Sequence, residues 1–221
     1  EQGSAGLSCV WAEENTREAI YDAMARKETW ATSGTRIVVR VFGGFDFGNA
    51  QPGDREWARV GYRNGVPMGG DLKPDARKSA PRLMIAASKD PNSGNLDRIQ
   101  VIKGWVDAAG KTHDRIYDVA WSGNRRIGSD GKLPAVGNTV DVKNASYTNT
   151  IGSPELATVW KDPDFDPTVP AFYYVRVLEI PTPRWSTYDA KALGIDPPKD
   201  FPATIQERAW SSPIWYTPGG I

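Results

Sequence analysis

LSCVWAEENTREAIYDAMARKETWATSGTRIVVRVF, residues 7–42, decides how the chain is read, because it holds the one long helical pattern and ends in what reads as the first strand. Asn15 stands as an N-cap with Glu18 three residues on, a capping box in which each side chain can bond the other residue's backbone N–H. Ala19, Ile20, Ala23 and Met24 form one apolar stripe, while Arg17, Glu18, Asp22 and Arg26 fall away from it. Arg26 and Lys27 suit the negative end of the helix dipole. The pattern predicts an amphipathic helix over 15–27, approached by the apolar Leu7, Val10 and Trp11. Residues 29–34 read as a connection, and 35–42, rich in Ile and Val, as a strand stopped by Gly43 and Gly44.

Downstream, the pattern changes from helical to alternating. Residues 45–80 are rich in Gly, Pro, Asp and Arg, with turn signals at Pro52-Gly53, Asn64-Gly65 and Gly69-Gly70, and predict a long loop ordered by Trp57, Tyr62 and Met68. Strands are predicted over 81–88, 97–105, 115–121, 138–142, 145–151, 171–180, 203–210 and 213–216. In 97–105, Ile99, Val101, Lys103 and Trp105 share one side and Arg98, Gln100 and Ile102 the other, the first side being the drier. The proline-rich stretch 180–202 predicts a tethered loop with one short helical turn at 189–193. No helix alternates with these strands, which argues for an antiparallel sandwich of about seven to nine strands rather than a parallel α/β sheet. Ile37, Val39, Ile99, Val101, Val175 and Val177 are its predicted core.

Composition excludes several function classes. Lys and Arg total 27 against 27 Asp and Glu, so the positive field of a protein that grips nucleic acid or an anionic membrane is missing. No apolar run reaches the ~18 residues of a membrane span, and residues 1–10 lack a signal peptide's basic start and apolar core. A helix entry so near the start leads us to expect a piece of a longer protein, whose targeting signal, and hence its compartment, lies elsewhere. The single cysteine, Cys9, excludes an internal disulfide and reads as a small, partly buried thiol.

His113, the only histidine, sits in GKTHDR in a hairpin setting and reads as solvated; with no second His or Cys cluster, a transition-metal site is not expected. Asp162, Asp164 and Asp166 in KDPDFDP resemble the start of a calcium loop, but the sixth position is Pro167 rather than Gly and the twelfth Tyr173 rather than Glu. A proline-stiffened acidic turn is the better reading. Ser33 in ATSGTR lacks a nucleophile elbow, and Gly43, Gly44 and Gly48 do not form a dinucleotide fingerprint. Nine tryptophans on a sandwich could display rings that stack on sugars, although large aromatics at alternating positions are more often core.

Several long runs carry a resemblance: GLSCVWAEENTREAIYDAMARKETWATSGTRI (6–37), VPMGGDL (66–72), LDRIQVIKGW (96–105), YDVAWS (117–122), VGNTVD (136–141), TNTIGSPELATVWKDPDFDP (148–167), FYYVRVLEIPTPRWSTYDA (172–190) and ATIQERAWSSPIWYTP (203–218). Together they resemble the C-terminal part of the bacterial family known as domain of unknown function thirty-six hundred and four. Full-length members resemble polymerase-and-histidinol-phosphatase (PHP) metallohydrolases, including a carbaryl-hydrolase-like branch in which a metal-binding barrel precedes an immunoglobulin-like sandwich. The resemblance implies a mainly β fold, an immunoglobulin-like antiparallel β-sandwich (35–221, with long loops at 45–80 and 180–202) preceded by one N-terminal helix (1–34) that ends an absent barrel. It implies a divalent metal in that barrel and no catalytic residue, metal ligand or cofactor on this chain, since the family's His-x-His and Ser-Asp-x-His type motifs do not occur here. The expected function is that of a non-catalytic, structural or substrate-shaping module of a PHP-like hydrolase. The alternative is a glycan- or protein-binding module using exposed Trp. Trp11, Glu13, Glu14, Arg17, Ile20 and Met24 are the candidate docking residues, for the barrel or for a second copy of the chain.

Overall fold

The computed structural model describes residues 6–77 and 79–219; residues 1–5 of the N-terminal segment lie outside the described residues. The elements in order are β1 (Leu7–Val10), α1 (Arg17–Ala25), β2 (Thr29–Thr32), β3 (Val38–Gly44), α2 (Trp57–Asn64), β4 (Gly65–Pro67), β5 (Asp71–Leu72), β6 (Arg82–Ser88), β7 (Leu96–Val106), β8 (Thr112–Trp121), β9 (Glu155–Lys161), β10 (Ala171–Glu179), β11 (Thr182–Pro183), α3 (Trp185–Leu193), β12 (Thr204–Ile205), β13 (Arg208–Ser211) and β14 (Ile214–Tyr216). Among the described residues the fold is mainly β, with three short helices, and none of these is long and apolar enough to cross a membrane.

In the larger sheet β8 pairs with β7 and β7 with β10. The other edge of β10 is shared, β14 lying along 171–173 and β13 along 176–178. β13 leads on to β2 and β1, all antiparallel, and β14 to β5 in a parallel pairing. Between β13 and β14 the ladder lapses at Ser212-Pro213, and the Val175 N–H donates to Ser211 Oγ at 3.0 Å. A side chain thus supplies the acceptor that a continuous strand would have offered. The smaller sheet runs β4-β3-β6-β9, antiparallel throughout.

The two sheets share one core. Ile37, Val39, Val41, Leu83 and Ile85 of the smaller sheet and its lead-in cluster with Ile99, Val101, Tyr173, Val175, Val177 and Ile214 of the larger. All six residues expected in the core are buried. The opposite face of the smaller sheet presents Phe42 and Met84, which pack with Phe47, Trp57 and Val60 around α2. Gly61 lets that helix lie flush on the Phe42 ring: a Cβ there would stand 2.4 Å from it.

The N-terminal stretch departs from expectation in three ways. Thr16, not Asn15, caps α1, its Oγ1 accepting from Ala19 N at 3.3 Å. The helix ends at Ala25, and Lys27 adopts a left-handed φ of 60° so that the Glu28 N–H reaches Ala23 O and the Lys27 N–H reaches Met24 O, a Schellman close with lysine where glycine is usual. The flanks read as approach and connection are strands: β1 and β2 pair with each other, and β2 with β13, so part of the segment 1–34 is hydrogen-bonded into the larger sheet.

Elsewhere, β9 was not foreseen, the region 45–80 contains α2, β4 and β5, and α3 starts four residues before the expected turn at 189. Conversely, the strands expected over 138–142 and 145–151 do not form; one isolated bridge, Asp141 with Ser146, joins them. Here Asn138 Oδ1 takes the Val140 N–H, Asp141 Oδ1 the Asn144 N–H and Thr139 Oγ1 the Thr148 N–H. Short polar side chains have replaced ladder partners.

Gly61→Ala tests the seating of α2. Helix propensity alone favours alanine by ~1 kcal/mol, but intrusion into the buried Phe42 ring costs about 1–3 kcal/mol. Chemical denaturation is expected to show a net loss of up to about 2 kcal/mol, and a raised midpoint would show that α2 is not pinned there.

Candidate functional site

The docking candidates separate around α1. Only Ala23 is buried; Ala19 and Ile20 are half-buried, and Met24 is 57% exposed. Tyr21, overlooked in the apolar stripe, is 70% exposed. With Arg17, Glu18 and Asp22, the residues Ile20, Tyr21 and Met24 line one shallow depression of about 410 Å3. The missed signal was helical spacing: Arg17, Tyr21 and Met24 stand at i, i+4 and i+7.

Trp11 and Glu13 belong to a different place. The Trp11 indole N–H donates to Val39 O at 2.9 Å, and its ring lies 5.4 Å from that of Trp30. The Arg40 guanidinium sits 4.3 Å over the Trp11 ring and also faces Phe42 and Tyr62. The Tyr62 hydroxyl donates to the buried Glu28 carboxylate; burial first, then that hydrogen bond, raises its pKa. Trp11, Glu28, Arg40 and Tyr62 border a cavity of about 560 Å3. Trp11 is therefore packed into the fold, while Glu13 lines that cavity, Arg17, Ile20 and Met24 line the α1 depression, and exposed Glu14 lines neither.

The acidic turn is occupied by an amine. Lys103, on the drier side of β7, is buried, and its Nζ donates to Asp162 Oδ2 at 2.6 Å and to Asp164 O at 2.7 Å. The Tyr173 hydroxyl donates to the same Asp162 oxygen at 2.7 Å, and the Asp164 N–H to Asp162 Oδ1 at 2.9 Å. Asp164 Oδ2 takes Arg115 and Tyr117, each at 2.7 Å, and Asp166 takes the Thr168 N–H and hydroxyl. Burial, with the neighbouring carboxylates, pushes Tyr173 and Tyr117 well above the ordinary phenol range. Both phenols stay protonated donors. Of the carboxylates that resembled a calcium loop, that of Asp162 meets the Lys103 ammonium while those of Asp164 and Asp166 turn to other partners, and among the described residues no three His, Cys, Asp or Glu side chains gather as a metal site requires.

His113 is not in a loop but on β8, its ring stacked 5.2 Å from Trp105 at 16° and its Nε2 2.7 Å from Asp107 Oδ2. That hydrogen bond is the main reason the exposed Asp107 carboxyl titrates below its ordinary range. Ser33 is a fastener: its hydroxyl donates to Glu207 and accepts the Arg208 N–H at 2.9 Å. Cys9, half-buried in β1, has its thiol pKa raised by burial.

Sequence reasoning gave Glu179 no attention. It is 0% exposed on β10, Oε2 accepting from the Ser93 hydroxyl at 2.6 Å and Oε1 unpartnered among the described residues. Burial, opposed by the Ser93 and Thr35 hydroxyls, raises its pKa to about 7. The signal was available, since Glu179 continues the inward parity of Val175 and Val177.

Of the comparisons with known proteins, one succeeds: a family model described as Protein of unknown function (DUF3604) matches residues 1–218. No curated protein and no solved structure matches the chain.

Two measurements test this account. Lys103→Met leaves the buried Asp162 carboxylate without its cation and is expected to cost about 3–5 kcal/mol, most of it regained in Lys103→Met/Asp162→Leu; an additive double variant would remove the pairing from the argument. For Glu179, the folded pKa of about 7 lies above the ordinary 4.5, so its contribution is complete below about pH 4.5 and is lost as pH rises towards 7. At about 1.4 kcal/mol per pH unit this amounts to roughly 3 kcal/mol. Glu179→Gln is expected to abolish that decline in a pH series of urea melts, and an identical slope in both proteins would contradict it.

Proposed function

The chain belongs to that family of proteins of unknown function, and from this premise we propose that it is a non-catalytic, immunoglobulin-like sandwich module of a PHP-like metal-dependent hydrolase. In this reading it is the C-terminal part of the longer protein, it docks on a barrel domain that holds the divalent metal, and its role is structural or substrate-shaping.

The observation that carries the reading is the outer face of α1. Fully burying a large apolar side chain is worth about 1.5–3 kcal/mol, yet Tyr21 and Met24 remain mostly in water beside half-buried Ile20. The helix does not place them there by looseness. Thr16 caps its start, the Lys27 turn closes its end, and the β1–β2 pairing ties both flanks to the sheet. A rigid helix that turns only Ala23 wholly inward and holds an aromatic and a thioether outward suits a surface made to be covered, with Arg17, Glu18 and Asp22 as its polar rim. Trp rings support the glycan alternative less directly, because Trp11, Trp30 and Trp121 donate their indole N–H groups to carbonyls within the fold.

Thermal unfolding of the parent protein tests the proposal. With the upstream domain present, the sandwich and barrel are expected to melt in one transition, which Met24→Glu splits in two. In the isolated chain the same substitution should change stability by no more than ~0.5 kcal/mol and should reduce any self-association. Separate transitions in the unaltered parent, or global unfolding of the isolated chain by Met24→Glu, would overturn the docking role.

A further inference from the structure

One row of side chains crosses the outward face of the larger sheet in continuous register. Asp114 on β8 stands opposite Gly104 on β7, Gly104 opposite Phe172 on β10, Phe172 opposite Trp215 on β14, and Trp215 beside Asp71 on β5. Residues paired in this way share one face of a sheet. The row therefore reads carboxylate, gap, ring, ring, carboxylate. At ~4.8 Å between strands it is roughly 19 Å long.

The gap shapes the row. A Cβ on Gly104 would lie 2.3 Å from the Phe172 ring, so the missing side chain lets that ring lie down over the β7 backbone. The Trp215 ring sits 5.2 Å from it at 50° and is 45% exposed. Beside the rings opens a cleft of about 470 Å3, with Thr112, Asp114, Pro170 and Thr217 among its lining, within the range of small-ligand sites. Both carboxylates are exposed, and among the described residues neither side chain is engaged in a hydrogen bond or ion pair.

We propose that this row binds a neutral polysaccharide chain, the sugar rings lying on Phe172 and Trp215 and their hydroxyls donating to Asp114 and Asp71. Three features select that ligand class. Two rings side by side, tilted 50° to each other, form an open shelf rather than the aromatic cage that recognises a quaternary ammonium. A carboxylate at each end repels anionic glycans, phosphates and nucleic acid. A sugar pairs an apolar C–H face with a rim of hydroxyl donors, which matches a ring floor bordered by acceptors. The proposal is independent of the docking role, since the cleft beside the row and the α1 depression have no lining residue in common.

Affinity electrophoresis of the 221-residue chain through gels containing xylan, galactomannan, amylose, mixed-linkage β-glucan or polygalacturonate tests it, with sedimentation velocity run in parallel. Retardation by at least one neutral polysaccharide is expected, and none by polygalacturonate. Trp215→Ala should weaken retardation at least tenfold, and Asp114→Asn and Asp71→Asn severalfold each, with Met24→Glu unchanged. The proposal is overturned by no retardation on any neutral polymer, by retardation that survives Trp215→Ala, by preferential binding of polygalacturonate, or by a dimer that Trp215→Ala converts to monomer, which would assign the row to a second copy of the chain.

Discussion

A single buried ammonium group bolts the two sheets together at one end. Lys103 projects from β7 of the larger sheet, and Asp162 follows directly on β9 of the smaller. Their contact, 2.6 Å long and closed to solvent, also collects the Tyr173 hydroxyl and the Asp164 carbonyl. Isolated, either charge would carry a desolvation penalty of several kcal/mol. Together, with the remaining donors and acceptors filled, the pair demands one relative placement of the sheets, because a slip of one residue would turn Lys103 outward and leave Asp162 alone. The apolar core above it tolerates small shifts far better, since its contacts are non-directional.

That placement constrains what lies around it. Asp164 is drawn to the rim, where Arg115 and Tyr117 of β8 take its carboxylate, and β8 is fastened to the turn that ends β9. Trp105, two residues after Lys103 on the same side, stacks on His113, so the β7–β8 hairpin is stiff to its tip. The outward face of the same strands remains open. Alternation alone dictates the division: inward positions carry Val101, Lys103 and Trp105, and the intervening position is Gly104, where the chain presents backbone and a neighbour's ring.

Much of this was legible in the sequence where one period ruled a stretch. Ile99, Val101 and Lys103 were placed on one side of a strand by alternation, and all three are buried. The same logic located Ile37, Val39, Val175 and Val177. It could not say what Lys103 faces, since Asp162 is 59 residues away and its meaning is set by sheet pairing. Nor could it separate strand from polar turn in 138–151, where β-branched residues suggested a ladder and Asn, Asp and Thr side chains took the backbone N–H groups instead. The helix was found but its flanks were misread, because residues 7–10 and 29–32 are too short for a pattern and become strands only by pairing with each other and with β13. Tyr21 was missed because helical spacing was counted from the residues that face the protein rather than from those that do not.

The two open surfaces therefore have different origins in the same sheet. On α1 the exposed groups follow from anchoring: β1 and β2 fix both flanks of the helix, Ala23 is the residue turned wholly inward, and a residue one or two positions away, Met24 or Tyr21, must point elsewhere. On the β8–β5 row they follow from pairing: each member is where it is because its neighbour's backbone is hydrogen-bonded to its own. A helix face can be re-aimed by small changes at its two ends. A cross-strand row cannot be moved without breaking ladders that run into the core and to Lys103. The row is accordingly the more rigid of the two surfaces, suited to a ligand that adapts to it, whereas α1 stands at an edge where a partner and the helix can settle against each other.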